Sequence, residues 1–585
     1  MTSILLHGSN LHVRCDYADV EKARGIPQRR WLKSSKVWSC RPSLANMDYL
    51  ARTWPDASWD DASIREFTRA KNEEAQRLRV FNREYDLSVI AREIKAGAFK
   101  KGALPPWEHQ QKALLLGRDL PYFAYIMDQG TGKTRTILDD AAHNYRMRKI
   151  DALIIINKNS VKTNWVTLDQ DPEEPDAVDQ WLPTDIPHSK ALWMSDANKA
   201  EQAQWDKFFF EAQHGRGGLA IISVNYEALL MDRCFSQLEA FCKRRKVMIV
   251  CDESTRIGKP GSGRTKAATA LRQFCPIARI TTGTPIVKSP LKAYSQFAFL
   301  NEDILGFGSF YAFKARYCVM GGFEGRQVLK YINLDELSNK IASCSFRVTK
   351  DECMDLPPKI YQKRRVYMAD AQAKAYEQMK RTMLATIKGK DVSAQIQLTQ
   401  VMKLQQITGG YVKMDDLTVV EIVKPENNPL IKETLGLIEE AGDQKVLVWA
   451  HFHEEIDALI RVLRKEGYRV AQFDGRVPER ERLQIRRDFK NGLYDILVGN
   501  QGAGGMGIDE FKIASVVIYF SNSYDTEARI QSEDRTHRGG SEMHEKITYY
   551  DIVVPNTVRV KIIATLRGNK SISDEVMRDG LREWI

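Results

Sequence analysis

Three groups of residues in this 585-residue chain have the types and spacing to act on a chain of phosphates. The first is Gly130-Thr131-Gly132-Lys133-Thr134, with the apolar run YFAYIM before it and a helical pattern after it. Glycines let backbone N–H groups converge on an anion, and a helix N-terminus adds positive potential. Lys133 would reach the outer phosphates, and the Thr134 hydroxyl would hold Mg²⁺. Met127 departs from the strict P-loop form, which has a glycine there. The second group is Asp252-Glu253, at the end of the apolar run VMIVC. A strand finishing in adjacent carboxylates can place Asp252 on the metal shell and leave Glu253 to orient or deprotonate the attacking water. An isolated Asp-Glu pair is more often a solvated loop, but here a buried strand and an upstream phosphate loop favour catalysis. The third group is Arg535 and Arg538, spaced to project from one face of a helix. The planar fork of arginine donates several hydrogen bonds to phosphate at fixed geometry.

The elements that must hold these residues have a common form. Leu153 to Ile156 is a continuous apolar run, and LAIISVN repeats the design. Such runs suit a parallel sheet covered on both faces. Residues at the C-terminal ends of its strands would face a ligand. Those residues are Lys158 and Ser160 after one run, and Asn225 and Tyr226 after the other. Gln110 lies just ahead of the phosphate loop, where its amide would read an adenine edge. Arg135 follows Thr134 on the same loop-to-helix turn. In the C-terminal half, KVLVWAHF opens a second strand–helix series, with Phe452 just beyond its first strand. The segment DILVGNQGAGGMGID then offers Gly504, Gly505 and Gly507 for close approach of backbone to sugar-phosphate, and Asp509 for ribose or phosphate. His451 and His453 lack a third ligand, so they read as structural residues or phosphate contacts.

A net charge of +11 favours a polyanionic partner, with nucleic acid ahead of acidic membrane. Hydrophobic residues at 43% and charged residues at 28% suit a globular protein. No apolar run reaches the roughly 20 residues that cross a bilayer. The nine cysteines form no C-x-x-C pair, so neither a disulfide framework nor a zinc site is expected. A reducing, cytoplasmic setting follows from this. Residues 1–60 read as a small α+β unit, in which RRWLKSSKVWSC forms a hairpin carrying Trp31 and Trp38. Basic residues between tryptophans suit phosphates and unstacked bases, and they equally suit a small indole core. Residues 61–101 read as a solvated helical connector.

The order HQ, GTGKT, SVKTNW, DEST, TTGTP, followed by SFYAFKARY and SFRVTKDECMDLPPK, resembles the Swi/Snf-type branch of the superfamily-two helicase-related ATPases. The resemblance covers about residues 104–565 and is closest to compact bacterial or bacteriophage forms. It implies an α/β fold of two tandem RecA-like parallel-sheet lobes with helical insertions. Lobe 1 would span 102–350 and bind ATP. Lobe 2 would span 351–585, with a helical insertion at about 368–410. By the same resemblance, Arg535 and Arg538 reach from lobe 2 into the ATP site of lobe 1, and Gln531 matches the family glutamine. Trp165, Lys288, Phe452 and Tyr524 fall where a bound strand would pass. Thr255 replaces the usual histidine, Lys288 an asparagine, Tyr524 a tryptophan and Ser541 a glutamine. The N-terminal unit resembles the HARP-like module of annealing helicases.

The function expected is that of a monomeric, DNA-dependent ATPase that moves along or remodels duplex or branched DNA, using ATP and Mg²⁺. Sequence preference would be weak, and replication or recombination proteins are the partners to expect. A helicase that separates strands or migrates branches at forks or R-loops is the alternative. A DNA-binding scaffold with a degenerate motor is the third reading, and the intact Lys133, Glu253, Arg535 and Arg538 oppose it.

Overall fold

The computed structural model describes residues 2–159, 162–167, 175–194, 197–213, 217–283, 290–321, 327–387, 394–502 and 510–567. Two parallel sheets dominate it, and both follow from apolar runs that leave no solvent face. In the first lobe seven described strands lie in the order Ser345–Val348, Tyr122–Met127, Ile277–Thr282, Val247–Cys251, Ala152–Asn157, Leu219–Asn225 and His188–Leu192. Alternate residues feed two cores. Ile154, Ile156, Ile222 and Ile249 pack on Phe209, Phe241 and Leu300 on one face. Leu153, Ile155, Ile221 and Val250 pack with Ile137, Leu138 and Ala141 of the helix Lys133–Arg146 on the other. Each fully buried aliphatic side chain contributes about 1.5–3 kcal/mol. Burial of both faces is what makes these strands read as unbroken hydrophobic segments.

The second lobe repeats the plan with six described strands, ordered Lys359–Arg365, Ile547–Val553, Ala514–Tyr519, Lys445–Trp449, Ile496–Gly499 and Val470–Phe473. All its pairings are parallel. The helices Asp370–Ile387 and Ala394–Gly409 pack on Val558–Arg567 through Tyr376, Leu404, Ile407 and Ile562. The two lobes are joined directly at their sheet edges. Ser345–Val348 pairs with the strand that leads into the phosphate loop, and eleven residues after Val348 Lys359 begins the edge strand of the second sheet. The route between lobes therefore starts beside the phosphate loop.

The N-terminal unit has its own five-stranded sheet and a core of Ile4, Leu11, Val13, Met47, Leu50 and Trp54. Trp31 and Trp38 face each other across the hairpin at 5.0 Å, and Trp31 remains 43% exposed. The stretch read as a solvated connector is instead docked on the first lobe. Asp60 caps the helix Asp61–Phe81 by accepting from the Ser63 N–H at 2.9 Å. Along that helix Glu73 accepts from the Tyr122 hydroxyl, Arg77 donates to Ser343 Oγ at 2.9 Å, and Val80 enters the first lobe's core. The high charge of the segment concealed this, because its charged groups are the docking contacts. Among the described residues no helix is long and apolar enough to cross a membrane, and no group of three or more His, Cys, Asp or Glu could hold a metal ion.

One buried ion pair locks the phosphate-loop helix to the sheet. Arg279, on Ile277–Thr282, donates to Asp140 Oδ2 at 2.6 Å and to the Gly117 carbonyl at 3.1 Å. The Tyr125 hydroxyl and Asn144 Nδ2 complete the Asp140 carboxylate at 2.9 and 2.7 Å. Both charged side chains are fully buried. Removing one partner strands the other, so Asp140→Ala should destabilise the first lobe by about 3–5 kcal/mol. Urea unfolding checks this, and a loss below about 1 kcal/mol would show that the pair does not hold the helix.

Candidate nucleotide-binding cleft

A cleft of about 910 Å³ opens between the lobes, with Gly130, Lys133, Thr134, Asp252 and Glu253 on one side and Arg487, Lys490, Arg538 and Gly539 on the other. The buried strand Tyr122–Met127 delivers the loop, and the helix beginning at Lys133 carries the chain away. Gly130 and Gly132 have φ of +85° and +87°, a region that L side chains rarely adopt. Space imposes glycine as well. A Cβ on Gly132 would lie 1.9 Å from Gln110 Nε2, and one on Gly130 would lie 2.9 Å from Arg538 Cβ. The loop is braced from behind by His109, whose Nε2–H donates to the Thr131 carbonyl at 2.7 Å, and by Gln110 Nε2, which donates there at 3.2 Å. Lys133 Nζ donates to the Met127 and Asp128 carbonyls at 2.9 and 3.1 Å, which holds the ammonium at the loop mouth.

The carboxylates end the strand Val247–Cys251. Asp252 is oriented from two sides. Trp165 Nε1–H donates to its Oδ2 at 3.0 Å, and the Thr281 hydroxyl donates to its Oδ1. The Tyr226 hydroxyl holds its carbonyl at 2.8 Å. Glu253 has φ +51° and ψ 58°, a left-handed conformation that costs a non-glycine residue about 1–2 kcal/mol. Strain of this kind aims a side chain that regular geometry would not reach. Glu253 is 3% exposed, and its Oε2 has no hydrogen-bond partner among the described residues. Burial pushes its pKa up to about 7, with Asp252 adding to the rise and Lys133 and Lys158 opposing it. A carboxyl poised there suits a general base near neutral pH.

Comparison with known proteins fits this geometry. The SNF2-related domain profile matches residues 126–409, and the Helicase conserved C-terminal domain profile matches residues 427–540. The chain carries these two domains in tandem. A Mycoplasma pneumoniae protein named an uncharacterized ATP-dependent helicase is 27% identical over 333 residues, 56% of this chain and 30% of that protein. The Mus musculus DNA annealing helicase and endonuclease ZRANB3 is 22% identical over 424 residues, 71% of this chain and 35% of that protein. The chain thus spans about a third of the length of these relatives. The solved Sulfolobus solfataricus SWI2/SNF2 ATPase core in complex with dsDNA is 20% identical and covers 82% of this chain and 95% of that one, with a TM-score of 0.35.

Several candidate residues stand elsewhere than the sequence implied. Arg535 and Arg538 do not share a helix face, because the helix Thr526–Asp534 ends before them and Arg535 is its C-cap. Arg538 lines the cleft. Arg535, 3% exposed, turns into the second lobe, with its guanidinium 5.4 Å from the Trp449 ring centre and donating to the Gln501 carbonyl at 3.1 Å. Burial lowers its pKa to about 10. Trp165 and Tyr226, expected to meet nucleic acid, are buried behind Asp252 and orient it. Asn225 is also buried, and Phe452 packs on His451 and Tyr411. Tyr524 is tied through its hydroxyl to Gln405 of the helical insertion.

Lys158 points across the cleft, where it donates to Gln531 Oε1 at 3.3 Å and lies 3.8 Å from Glu527. Gln110 spends its amide on the Trp107 N–H at 2.9 Å and on Thr131. Arg135 stacks over Trp181 at 4.7 Å and pairs with Asp139 at 3.5 Å. Ser160, Lys288, Gly504, Gly505, Gly507 and Asp509 lie outside the described residues. Thr281, His109 and the helix Glu479–Lys490, which carries Arg487 and Lys490, were not singled out from sequence.

The Glu253 carboxyl sets the expected pH response. As a base it acts when deprotonated, so kcat should rise through about pH 7 and stand roughly tenfold below its plateau at pH 6. Its raised pKa also means that its stabilising contribution is present at low pH and lost as pH rises through about 7. Glu253→Gln should therefore abolish turnover yet melt higher than the parent at pH 8, a difference that closes toward pH 4. A flat rate profile between pH 6 and 8, or a lower melting point for the variant at pH 8, would contradict this.

Proposed function

We propose that this protein is a DNA-stimulated ATPase motor that hydrolyses ATP to move along or remodel duplex or branched DNA. The carrying observation is the shared cleft, in which Lys133, Asp252 and Glu253 of one lobe face Arg538 of the other. Lys133 and the loop N–H groups bind the phosphates of ATP, Glu253 takes a proton from the attacking water, and Arg538 meets charge that builds on the transferred group. Thr134 and Asp252 fit Mg²⁺, since a hydroxyl and a pre-oriented carboxylate in one cleft are hard oxygen donors. Bound there, the ion supplies neutralisation of the phosphate charge. Because the site has a part on each lobe, hydrolysis is tied to their relative position.

DNA as the track is supported by the +11 charge, by the annealing-helicase relative and by the exposed Trp31 on a basic hairpin. Contacts to the backbone carry little sequence information and are steeply salt-dependent. The same hairpin favours forks and other junctions over plain duplex as substrate. Lys133→Ala should abolish ATP turnover, measured as phosphate release, and wild-type turnover by that variant would sink the assignment of the site. In the parent, duplex or forked DNA should raise phosphate release, and triplex displacement should exceed strand displacement. Turnover indifferent to DNA, or unwinding that outpaces triplex displacement, would reject the motor reading as stated.

A further inference from the structure

The segment between the lobes makes contacts that the nucleotide chemistry does not explain. Its first turn, Lys350–Cys353, is fixed by a capping box in which the Thr349 N–H donates to Glu352 Oε2 at 2.7 Å. The Lys350 N–H donates to Asp128 Oδ2 at 3.1 Å, at the residue that opens the phosphate loop. The Lys350 side chain runs the other way. Its Nζ donates to Asp534 Oδ1 at 2.7 Å and to the His537 carbonyl at 2.6 Å. His537 is the residue before Arg538, and its ring Nε2–H donates to the Pro357 carbonyl at 3.0 Å, farther along the same segment. Beyond Arg538, a Cβ on Gly539 would lie 3.5 Å from the Trp107 ring and 3.6 Å from Met354 Cε.

We propose that Lys350 is a positioning residue that sets the Arg538 loop over the phosphate loop, by binding Asp128 through its backbone and Asp534 and His537 through its side chain. The proposal rests on the reading of Arg538 as the group that meets phosphate charge. A lysine suits the task, because a compact ammonium with three donors can satisfy a carboxylate and a carbonyl from one point. At 5% exposure its charge must be partnered, so the contact is kept wherever the lobes stand as in this structure. A displacement of about 1 Å at a reacting centre can cost about a hundredfold in rate without weakening ground-state binding. The Lys350 contacts act where such a displacement would arise.

Phosphate release at saturating ATP, binding of a non-hydrolysable ATP analogue and thermal melting would be measured on Lys350→Ala, Asp534→Asn, their combination and Arg538→Ala. Lys350→Ala and Asp534→Asn should each lower kcat about 10–100-fold while analogue affinity stays within about twofold. The combined variant should be no slower than Lys350→Ala, as expected when two residues act through one contact. If Lys350→Ala does not fold, Asp534→Asn and Lys350→Met carry the same readout. A kcat within twofold of the parent in the Lys350 and Asp534 variants, with Arg538→Ala inactive, would overturn the proposal and leave the Arg538 reading intact. A parent-like kcat in Arg538→Ala would overturn that reading first.

Discussion

Glu253 and Lys158 are both buried and lie within each other's electrostatic field, and Lys133 of the phosphate loop acts on Glu253 as well. Burial lowers the pKa of Lys158 and raises that of Glu253, and their mutual attraction opposes both shifts. In such a medium an oriented charge acts far more strongly than in water, and an unpartnered one is costly. The surrounding architecture supplies the partners. The Asp252 carboxylate is held by Trp165 and Thr281, the phosphate-loop helix by Arg279 and Asp140, and the loop itself by His109 and Gln110.

The same constraint accounts for the second lobe. Under the proposed function the cleft takes several phosphate charges, and Arg538, Arg487 and Lys490 bring cations of the second lobe to its far wall. The approach is close. Gly130 has no room for a methyl group beside Arg538, so the two loops touch backbone to side chain. Under the proposed function, a nucleotide site divided in this way ties hydrolysis to the relative position of the lobes. The connection between the sheets begins at the strand beside the phosphate loop, which places Lys350 between both halves.

Much of this was legible in the sequence where local pattern decides it. Unbroken apolar runs ending in GTGKT and in Asp-Glu identify parallel strands and the groups they present, since strand polarity fixes which residues reach the sheet's ligand edge. What local pattern does not carry is direction after the strand ends. Trp165 and Tyr226 follow strand termini, as DNA-facing residues would, yet they fold back under Asp252. Arg535 and Arg538 have helical spacing, but the helix stops at Asp534 and their side chains part. The docking of 61–101 was hidden because its contacts are polar. Lys350 and Thr281 act through partners distant in sequence.

Under the proposed function a guanidinium from the second lobe completes an ATP site built on the first. The most direct measurement is single-turnover hydrolysis of prebound ATP by Arg538→Ala, with and without added guanidinium ion. ATP should bind normally, with the rate lowered by about 10³-fold or more and partly restored as guanidinium is added. Hydrolysis at the parent rate by the variant alone would contradict it.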